Sequence, residues 1–197
     1  MLEQKLGEYI DMCGEVVRIN NFVTKGYEKF IGSKTTRAFI SFACGPANEE
    51  LRQLYPDKIY LTRCHKFQES DVPFLRDRML NKKNSVGFEP TCLHLLDPFM
   101  YYDRLRYLLN LGENMWTTTG TVAIQWAIDN FKATHEIYIY GFSFYKESQD
   151  NKLTRYFPGH TKKDNHHDFE AEKNYVKSLI DKKQIKYFMN TNIKLLT

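Results

Sequence analysis

The sequence predicts an α/β fold in which a mostly parallel sheet carries helices on both faces. Short runs of β-branched and aromatic residues alternate along the chain with segments of helical periodicity. The strongest strand pattern, at residues 136–140, directly follows a helical segment that has almost no polar face. With 197 residues, the chain has the size of one ordinary domain. We therefore expect a single Rossmann-like domain over residues 1–197.

The first half of the chain supplies three predicted strands. Residues 15–19, 38–42 and 58–62 are rich in β-branched and aromatic side chains, which is typical of strands. Pro46 suits a helix start, and Leu51 and Leu54 follow it at helical spacing. A short helix is therefore expected between the second and third strands.

The second half continues the alternation of helices and strands. Apolar residues at helical intervals predict helices over residues 97–109, 118–131 and 168–179. Besides the strand at residues 136–140, a last strand is predicted at residues 185–189. This order of elements is what a parallel sheet requires, because each crossover between parallel strands is usually a helix.

Composition favours a cytoplasmic protein with reduced thiols. The net charge is +4, but the basic residues are scattered rather than grouped, so we expect no nucleic-acid partner. The four cysteines show no Cys-x-x-Cys spacing. No stretch contains the roughly 18 to 20 apolar residues of a membrane span, and the first residues do not form a signal peptide. Peripheral association with the inner face of a membrane stays open, and the oligomeric state is not indicated.

Candidate binding residues follow two of the predicted strands and begin one of the helices. Asn20 can offer a donor and an acceptor to a base or ribose, and Gly141 allows close approach of the backbone to a ligand. Thr118, Thr119 and Gly120 begin a buried helix, where hydroxyls and free N–H groups can hold an anion. Taken alone, these residues are more typical of ordinary turns and of a threonine N-cap.

Three histidines lie within or just after the polar interval 146–165, which we expect to be a mobile, functional loop. His160, His166 and His167 could bind a metal, but no Cys or carboxylate completes a familiar ligand spacing. A general base is the simpler interpretation, because histidine titrates near pH ~6.5, although a solvated His-rich loop is an alternative. The chain has no Asp-x-Asp pair, so we expect no metal, no cofactor and a donor with a single phosphate.

Several segments match known sequence motifs. Residues 17–36 contain Arg-Ile-Asn, Gly-Tyr-Glu and Ile-Gly-Ser-Lys-Thr-Thr, which resemble the second half of the large sialylmotif of family 29 glycosyltransferases. Residues 117–120 and 137–142 resemble the small motif, which starts Pro-Ser-Thr-Gly and ends in a Tyr-Gly-Phe strand. His167 and Glu172 fit the very small motif His-x-x-x-x-Glu, and residues 155–157 stand where the third motif would fall.

A second resemblance, to bacterial family 42 sialyltransferases, involves residues 18–22, 118–120, 141–145 and 159–162. The two alignments differ on the catalytic histidine, since the first indicates His167 and the second indicates His160. We favour His167, because its carboxylate and helix context also match.

The resemblance implies a GT-A-like fold and an inverting, metal-independent transfer of sialic acid from CMP-sialic acid to a hydroxyl of an acceptor glycan. It implies His167 as the general base, with His160 in reserve, and Arg18 and Glu172 as structural support. Residues 45–110 match no motif, and we expect them to recognise the acceptor. The implied donor-binding residues are Asn20, Ser33, Thr118, Thr119, Gly120, Gly141, Tyr145, Arg155 and Tyr156.

Three departures from the family pattern keep other functions open. The strand that ends in the family's Gly-Asn turn would precede Met1, so we expect an N-terminal truncation or an incomplete donor site. Arg155 replaces a motif histidine, and the cysteines that link the motifs in secretory-pathway enzymes are absent. The alternatives are a catalytically inactive nucleotide-binding or glycan-binding relative, and a transferase of another CMP-activated acid sugar such as Kdo.

Overall fold

The computed structural model describes residues 4–20, 22–41, 59–62, 94–95, 99–142, 152–153, 161–162 and 166–188. Its helices are α1 (Gly7–Met12), α2 (Glu28–Ile31), α3 (Arg104–Leu108), α4 (Thr119–Phe131) and α5 (Phe169–Asp181), and a π-helical turn (Phe99–Asp103) leads into α3. Its strands are β1 (Val17–Ile19), β2 (Arg37–Ser41), β3 (Ile59–Thr62), β4 (His94–Leu95), β5 (Tyr138–Ile139), β6 (Lys152–Leu153), β7 (Thr161–Lys162) and β8 (Lys186–Tyr187).

Six of the eight described strands form parallel sheets, as the alternating sequence pattern predicts. β1, β2, β3 and β4 lie in that order and pair in parallel, with Val17 opposite Arg37 and Ala38 opposite Ile59. β5 and β8 form a second parallel pair. The α/β class is therefore confirmed. That these sheets belong to a single Rossmann-like domain stays a prediction.

The predicted elements agree with the observed ones to within a few residues at most ends. The first half of the helix predicted at residues 97–109 is the π-helical turn rather than an α-helix. In the interval predicted as a loop, β6 and β7 pair in antiparallel fashion, and its mobility stays a prediction. The helix predicted after Pro46 lies outside the described residues, as does most of the segment 45–110.

β5 has helices on both of its faces. Ile137 and Ile139 pack in the core that α4 and α5 share, whereas Tyr138 and Tyr140 pack against α1. Successive side chains of a strand point to opposite faces, so this division follows from the alternation of isoleucine and tyrosine. None of the described helices is long and apolar enough to cross a membrane.

An aromatic cluster fixes α4 onto the first sheet. The ring of Phe39 stacks on that of Tyr60 with centroids 4.9 Å apart, and Trp126 of α4 lies 5.1 Å from Phe39 and 4.8 Å from Tyr60. The guanidinium of Arg37 covers the Trp126 ring at 5.6 Å. Much of the aromatic content described here thus serves the core and holds α4 against β2 and β3.

Asp11, just inside the end of α1, holds the turn that precedes β2. Its carboxylate accepts hydrogen bonds from the Ser33 N–H at 3.0 Å, the Ser33 hydroxyl at 3.0 Å and the Lys34 N–H at 2.8 Å. Burial alone would raise the pKa of Asp11, but these hydrogen bonds and the charge of Arg18 outweigh it, and the pKa lies below its ordinary value. The ionised form therefore stabilises the fold.

We expect Asp11→Asn to lower the melting temperature by about 2 °C at pH 7. A carboxyl whose pKa is lowered by folding stabilises the protein above its unfolded pKa and loses that effect as the pH falls through its folded pKa. The difference between wild type and variant should therefore shrink toward pH ~3, below the ordinary aspartate pKa. Thermal denaturation across pH measures this, with Asp181→Asn at the exposed end of α5 as the control. A difference that grows on acidification would contradict the assignment.

Candidate active site at the carboxyl edge of the sheet

The start of α4 presents two backbone donors that bond no other described residue. Thr118 is the N-cap, and its hydroxyl oxygen accepts from the Thr121 N–H at 3.3 Å. The Val122 N–H bonds the Thr118 carbonyl at 3.1 Å. Within the described part of the chain, the N–H groups of Thr119 and Gly120 have no acceptor. A helix N-terminus with free N–H groups favours an anion.

The threonine hydroxyls at this helix start are bonded inside the protein. The Thr118 hydroxyl donates to Glu172 Oε2 at 2.6 Å. The Thr119 hydroxyl lies 3.4 Å from that of Thr62, the last residue of β3, and both side chains are buried. We therefore expect the backbone N–H groups of Thr119 and Gly120, rather than these hydroxyls, to hold an anion.

Gly120 allows the segment after β5 to lie against the helix start. It is buried, and a Cβ added to it would stand 2.8 Å from Cε1 of the Phe142 ring. Gly141, next to Phe142, has φ of 79°, which side-chain-bearing residues rarely adopt. The structure thus brings Gly120 against Phe142, the residue after Gly141, although Gly120 and Gly141 are 21 residues apart in the sequence.

Asn20 lies at the same edge, directly after β1. Its φ is 54°, its N–H bonds the Phe39 carbonyl at 2.7 Å, and its Oδ1 accepts from the Ser41 N–H at 2.8 Å. The side-chain acceptor is therefore occupied, and the Nδ2 amide has no partner in the described ranges. Asn20 can offer donors to a ligand, so it suits oxygen atoms such as those of a phosphate or ribose.

The turn that carries His167 is fastened to the segment before α4. The Trp116 N–H bonds the His166 carbonyl at 2.8 Å, and His167 Nδ1 lies 2.8 Å from the Trp116 carbonyl oxygen. A carbonyl only accepts hydrogen bonds, so Nδ1 carries the hydrogen in this contact. In the neutral ring Nε2 then bears the lone pair, and it can accept a proton. His167 therefore stands beside the start of α4 in the tautomer that a base needs.

Glu172 joins the starts of α4 and α5. Its side chain is buried, with the residue 2% exposed, and Oε1 accepts from the Thr118 N–H at 2.9 Å. Oε2 accepts from the hydroxyls of Thr118 and Thr121. Burial raises the pKa of Glu172, and the hydrogen bonds from Thr118 and Thr121 and the charge of His167 oppose that shift. Among the described residues, no cluster of His, Cys, Asp or Glu could hold a metal ion.

Arg18 supports the backbone rather than facing the edge. Its Nη2 donates to the carbonyls of Ile31 at 2.8 Å, Lys34 at 3.0 Å and Gly32 at 3.3 Å. Ser33 lies in the turn before β2, at the opposite end of the strand from Ser41, and bonds Asp11. The structure therefore does not bring Ser33 to the edge where Asn20 lies, and its donor-binding role stays a prediction.

The remaining candidates lie outside the described residues: His160, Tyr145, Arg155 and Tyr156. Three residues of this edge were missed by the sequence analysis, namely Thr62, Trp116 and Thr121. Thr121 carried a usable signal, because it stands three residues after the predicted N-cap, where side chains often take part in capping. Thr62 and Trp116 act through contacts with distant residues and carried none.

Comparison with known proteins supports the motif assignment. The family described as Glycosyltransferase family 29 (sialyltransferase) matches residues 1–184. The chain is 26% identical over 210 residues to the type 2 lactosamine alpha-2,3-sialyltransferase of Homo sapiens, covering 90% of this chain and 58% of that protein. It is 25% identical over 202 residues to the CMP-N-acetylneuraminate-beta-1,4-galactoside alpha-2,3-sialyltransferase of Rattus norvegicus, covering 91% and 52%. It thus spans little more than half the length of these relatives.

The fold also matches a solved structure of a mammalian sialyltransferase. The TM-score is 0.67 at 19% identity, with 93% of this chain and 63% of the other covered. A mammalian sialyltransferase in complex with Gal-beta-1-3GalNAc-ortho-nitrophenol gives a TM-score of 0.62 at 19% identity, with 95% and 65% covered. The similarity to bacterial family 42 enzymes stays a prediction. On the match over residues 1–184, the chain belongs to glycosyltransferase family 29, the sialyltransferases.

Proposed function

We propose that this protein transfers sialic acid from CMP-sialic acid to a hydroxyl of an acceptor glycan, with inversion and without a metal ion. The observation that carries the proposal is the pairing of two groups. Free N–H donors at the start of α4 suit a phosphate, and His167, fastened beside that start, keeps Nε2 available for a proton. Family membership supports the same chemistry.

In the proposed reaction, the acceptor oxygen attacks the anomeric carbon of sialic acid while the bond from that carbon to the phosphate oxygen breaks. CMP leaves with the bonding electrons, and the acceptor proton passes to His167 Nε2. Attack on the face opposite the leaving group inverts the configuration. A base that lies across the sugar from the phosphate site is therefore what the mechanism requires.

The start of α4 stabilises the charge that builds up on the departing phosphate. The N–H groups of Thr119 and Gly120 are aimed before the reaction begins, so they need no reorganisation as the charge develops. The Asn20 amide adds a donor at the same edge, because its oxygen is already bonded to Ser41. In this proposal, these donors supply the charge stabilisation that a metal ion supplies in other transferases. Tyr145, Arg155 and Tyr156 remain proposed partners of the donor.

Calorimetry with CMP, UDP and GDP tests donor recognition. We expect CMP to bind and the other two nucleotides to bind at least about tenfold more weakly, which corresponds to about 1.4 kcal/mol.

Asn20→Asp tests whether the Asn20 amide donates to the nucleotide. The variant keeps the oxygen that accepts from Ser41 and replaces the donating amide by a second oxygen. It should weaken CMP binding by about tenfold or more through lost donation and charge repulsion. Failure of wild type to bind CMP would contradict the proposed donor.

A turnover assay separates an enzyme from an inactive binding protein. The relatives named above act, by their names, on lactosamine and galactosides, so galactose-terminated glycans are the acceptors to test first. Release of CMP that depends on the acceptor supports transfer. CMP binding without any release would favour the inactive relative, and activity with CMP-Kdo alone would change the sugar but keep the reaction class.

A further inference from the structure

The side chain of Thr117, directly before the N-cap of α4, is buried with its hydroxyl unpaired. Thr117 is 1% exposed, and its Oγ1 has no hydrogen-bond partner among the described residues. Such a group destabilises the folded protein, because it has lost its hydrogen bonds to water and gained none in return. Buried polar groups are nearly always paired, so an exception indicates a role beyond stability.

The position of Thr117 in the chain favours an apolar residue instead. The residue before an N-cap often packs as an apolar group against the fourth residue of the helix. With Thr118 as the N-cap, that fourth residue is Val122, which is fully buried. The small motif that residues 117–120 resemble has proline, which carries no hydroxyl, at the same place. The Thr117 hydroxyl therefore adds nothing to the cap or the core, and local rules are broken in this way mainly at functional sites.

The neighbouring N–H groups indicate what this hydroxyl can bind. Those of Thr119 and Gly120 bond no described residue, and both residues are buried. An anion that enters this turn leaves water, so its oxygens need hydrogen-bond donors from the protein. A phosphate presents three strong acceptor oxygens, which accept more hydrogen bonds than two N–H groups provide. A hydroxyl in the same stretch of backbone, with its hydrogen unused, is the kind of further donor that such an anion requires.

We infer that Thr117 is a donor-binding residue, whose hydroxyl donates to an anionic oxygen of the sugar nucleotide at the start of α4. The inference rests on the proposed function and deepens it. Without the sugar nucleotide the unpaired hydroxyl lowers stability, whereas in the complex it gains a charged acceptor, which makes a stronger hydrogen bond than a neutral one. The oxygen belongs to the phosphate or to the carboxylate on the anomeric carbon of sialic acid, which share this chemistry.

Thr117→Val and Thr117→Ser separate the hydroxyl from the methyl group. Val has nearly the shape of Thr without the hydroxyl. We expect its melting temperature to rise by about 2 to 4 °C, while the KM for CMP-sialic acid rises by about tenfold or more. Ser keeps the hydroxyl and loses a buried methyl group, so its melting temperature should fall by about 2 to 4 °C with the donor KM within about threefold of wild type. A more stable variant that binds the donor more weakly is not expected of a purely structural residue.

Thr134→Val is the matched control, because it makes the same chemical change just beyond the other end of α4. Thr134 is exposed, and its hydroxyl bonds the Phe131 carbonyl at 3.3 Å. The donor KM of this variant should stay within about threefold of wild type, as expected for a surface substitution. A donor KM raised equally by Thr134→Val and Thr117→Val would overturn the inference.

Calorimetry with CMP on wild type and Thr117→Val identifies the oxygen. Weaker CMP binding by the variant assigns the hydroxyl to the phosphate, and unchanged CMP binding with a raised donor KM assigns it to the carboxylate. Either result supports the inference. If Thr117→Val changes neither quantity, the inference is wrong, and a melting temperature below that of wild type overturns it too, because the hydroxyl is then paired without the donor. A wild type that neither binds CMP nor turns over overturns the proposed function, and the inference with it.

Discussion

Replacing His167 by Asn is expected to lower kcat by about 100- to 10,000-fold, while CMP binds with nearly unchanged affinity. Asn can still donate to the Trp116 carbonyl, as His167 Nδ1 does at 2.8 Å, so the turn before α5 should keep its shape. It has no group that accepts a proton near neutral pH. The variant therefore removes the base and leaves the anion-binding end of α4 in place.

Two other histidines complete this test, His166 as the control and His160 as the alternative base. His166 is exposed and its Nδ1 lies 3.3 Å from the Asn114 carbonyl, so His166→Asn makes the same chemical change one residue away. It should retain activity within about threefold, as expected for a surface substitution. His160→Asn tests the alternative from the family 42 resemblance. If His160→Asn alone loses turnover, the assignment of the base to His167 is wrong.

The sequence was informative where the determining interactions are local. The helix at residues 119–131 was predictable because its apolar residues and its threonine N-cap are neighbours in the chain. The strands at residues 37–41 and 59–62 were predictable because β-branched and aromatic side chains suit a buried sheet. The placement of His167 and Glu172 around one helix start was also predictable, since only four residues separate them in the chain.

Long-range contacts explain what the sequence could not provide. Thr119 was expected to face a phosphate, but its hydroxyl meets that of Thr62, 57 residues away. Ser33 was expected at the donor site, but Asp11, 22 residues upstream, binds it at the other end of the strand. The spacing of apolar residues does not predict such pairs, because each partner is a polar residue whose sequence neighbours give no sign of the contact. Topology decides which of several polar residues reach the functional edge.

The short helices α1 and α2 were missed for a related reason. They contain six and four residues, which is too few for an apolar period to be recognised. The two helices pack on each other, because Gly7 of α1 lies directly against the backbone of α2. Isolated helices of this length are not stable in water, so tertiary packing determines them.

Gly7→Ala is the substitution expected to destabilise the fold most through a single added methyl group. A Cβ at position 7 would overlap the Glu28 carbonyl oxygen and lie 2.9 Å from the Gly32 nitrogen, which are backbone atoms that cannot rotate away. The α1 and α2 helices must separate, although Leu6 and Ile10 hold α1 in the core beside β5 and β8. We expect a loss of about 3 kcal/mol, the upper end for overpacked sites. The melting temperature should fall by roughly 6 to 12 °C for a chain of this size.

Gly14→Ala is the matched control, because it adds the same methyl group two residues after the end of α1. Among the described residues, no atom lies within 4 Å of a Cβ at Gly14, so the added group meets none of them. The substitution should leave the melting temperature unchanged or raise it slightly, since Ala restricts the unfolded chain more than Gly does. Equal melting temperatures for both variants would show that α1 and α2 do not pack this closely. If thermal denaturation shows a lower melting temperature for Gly7→Ala only, the stability of the whole fold depends on a contact between the backbones of α1 and α2.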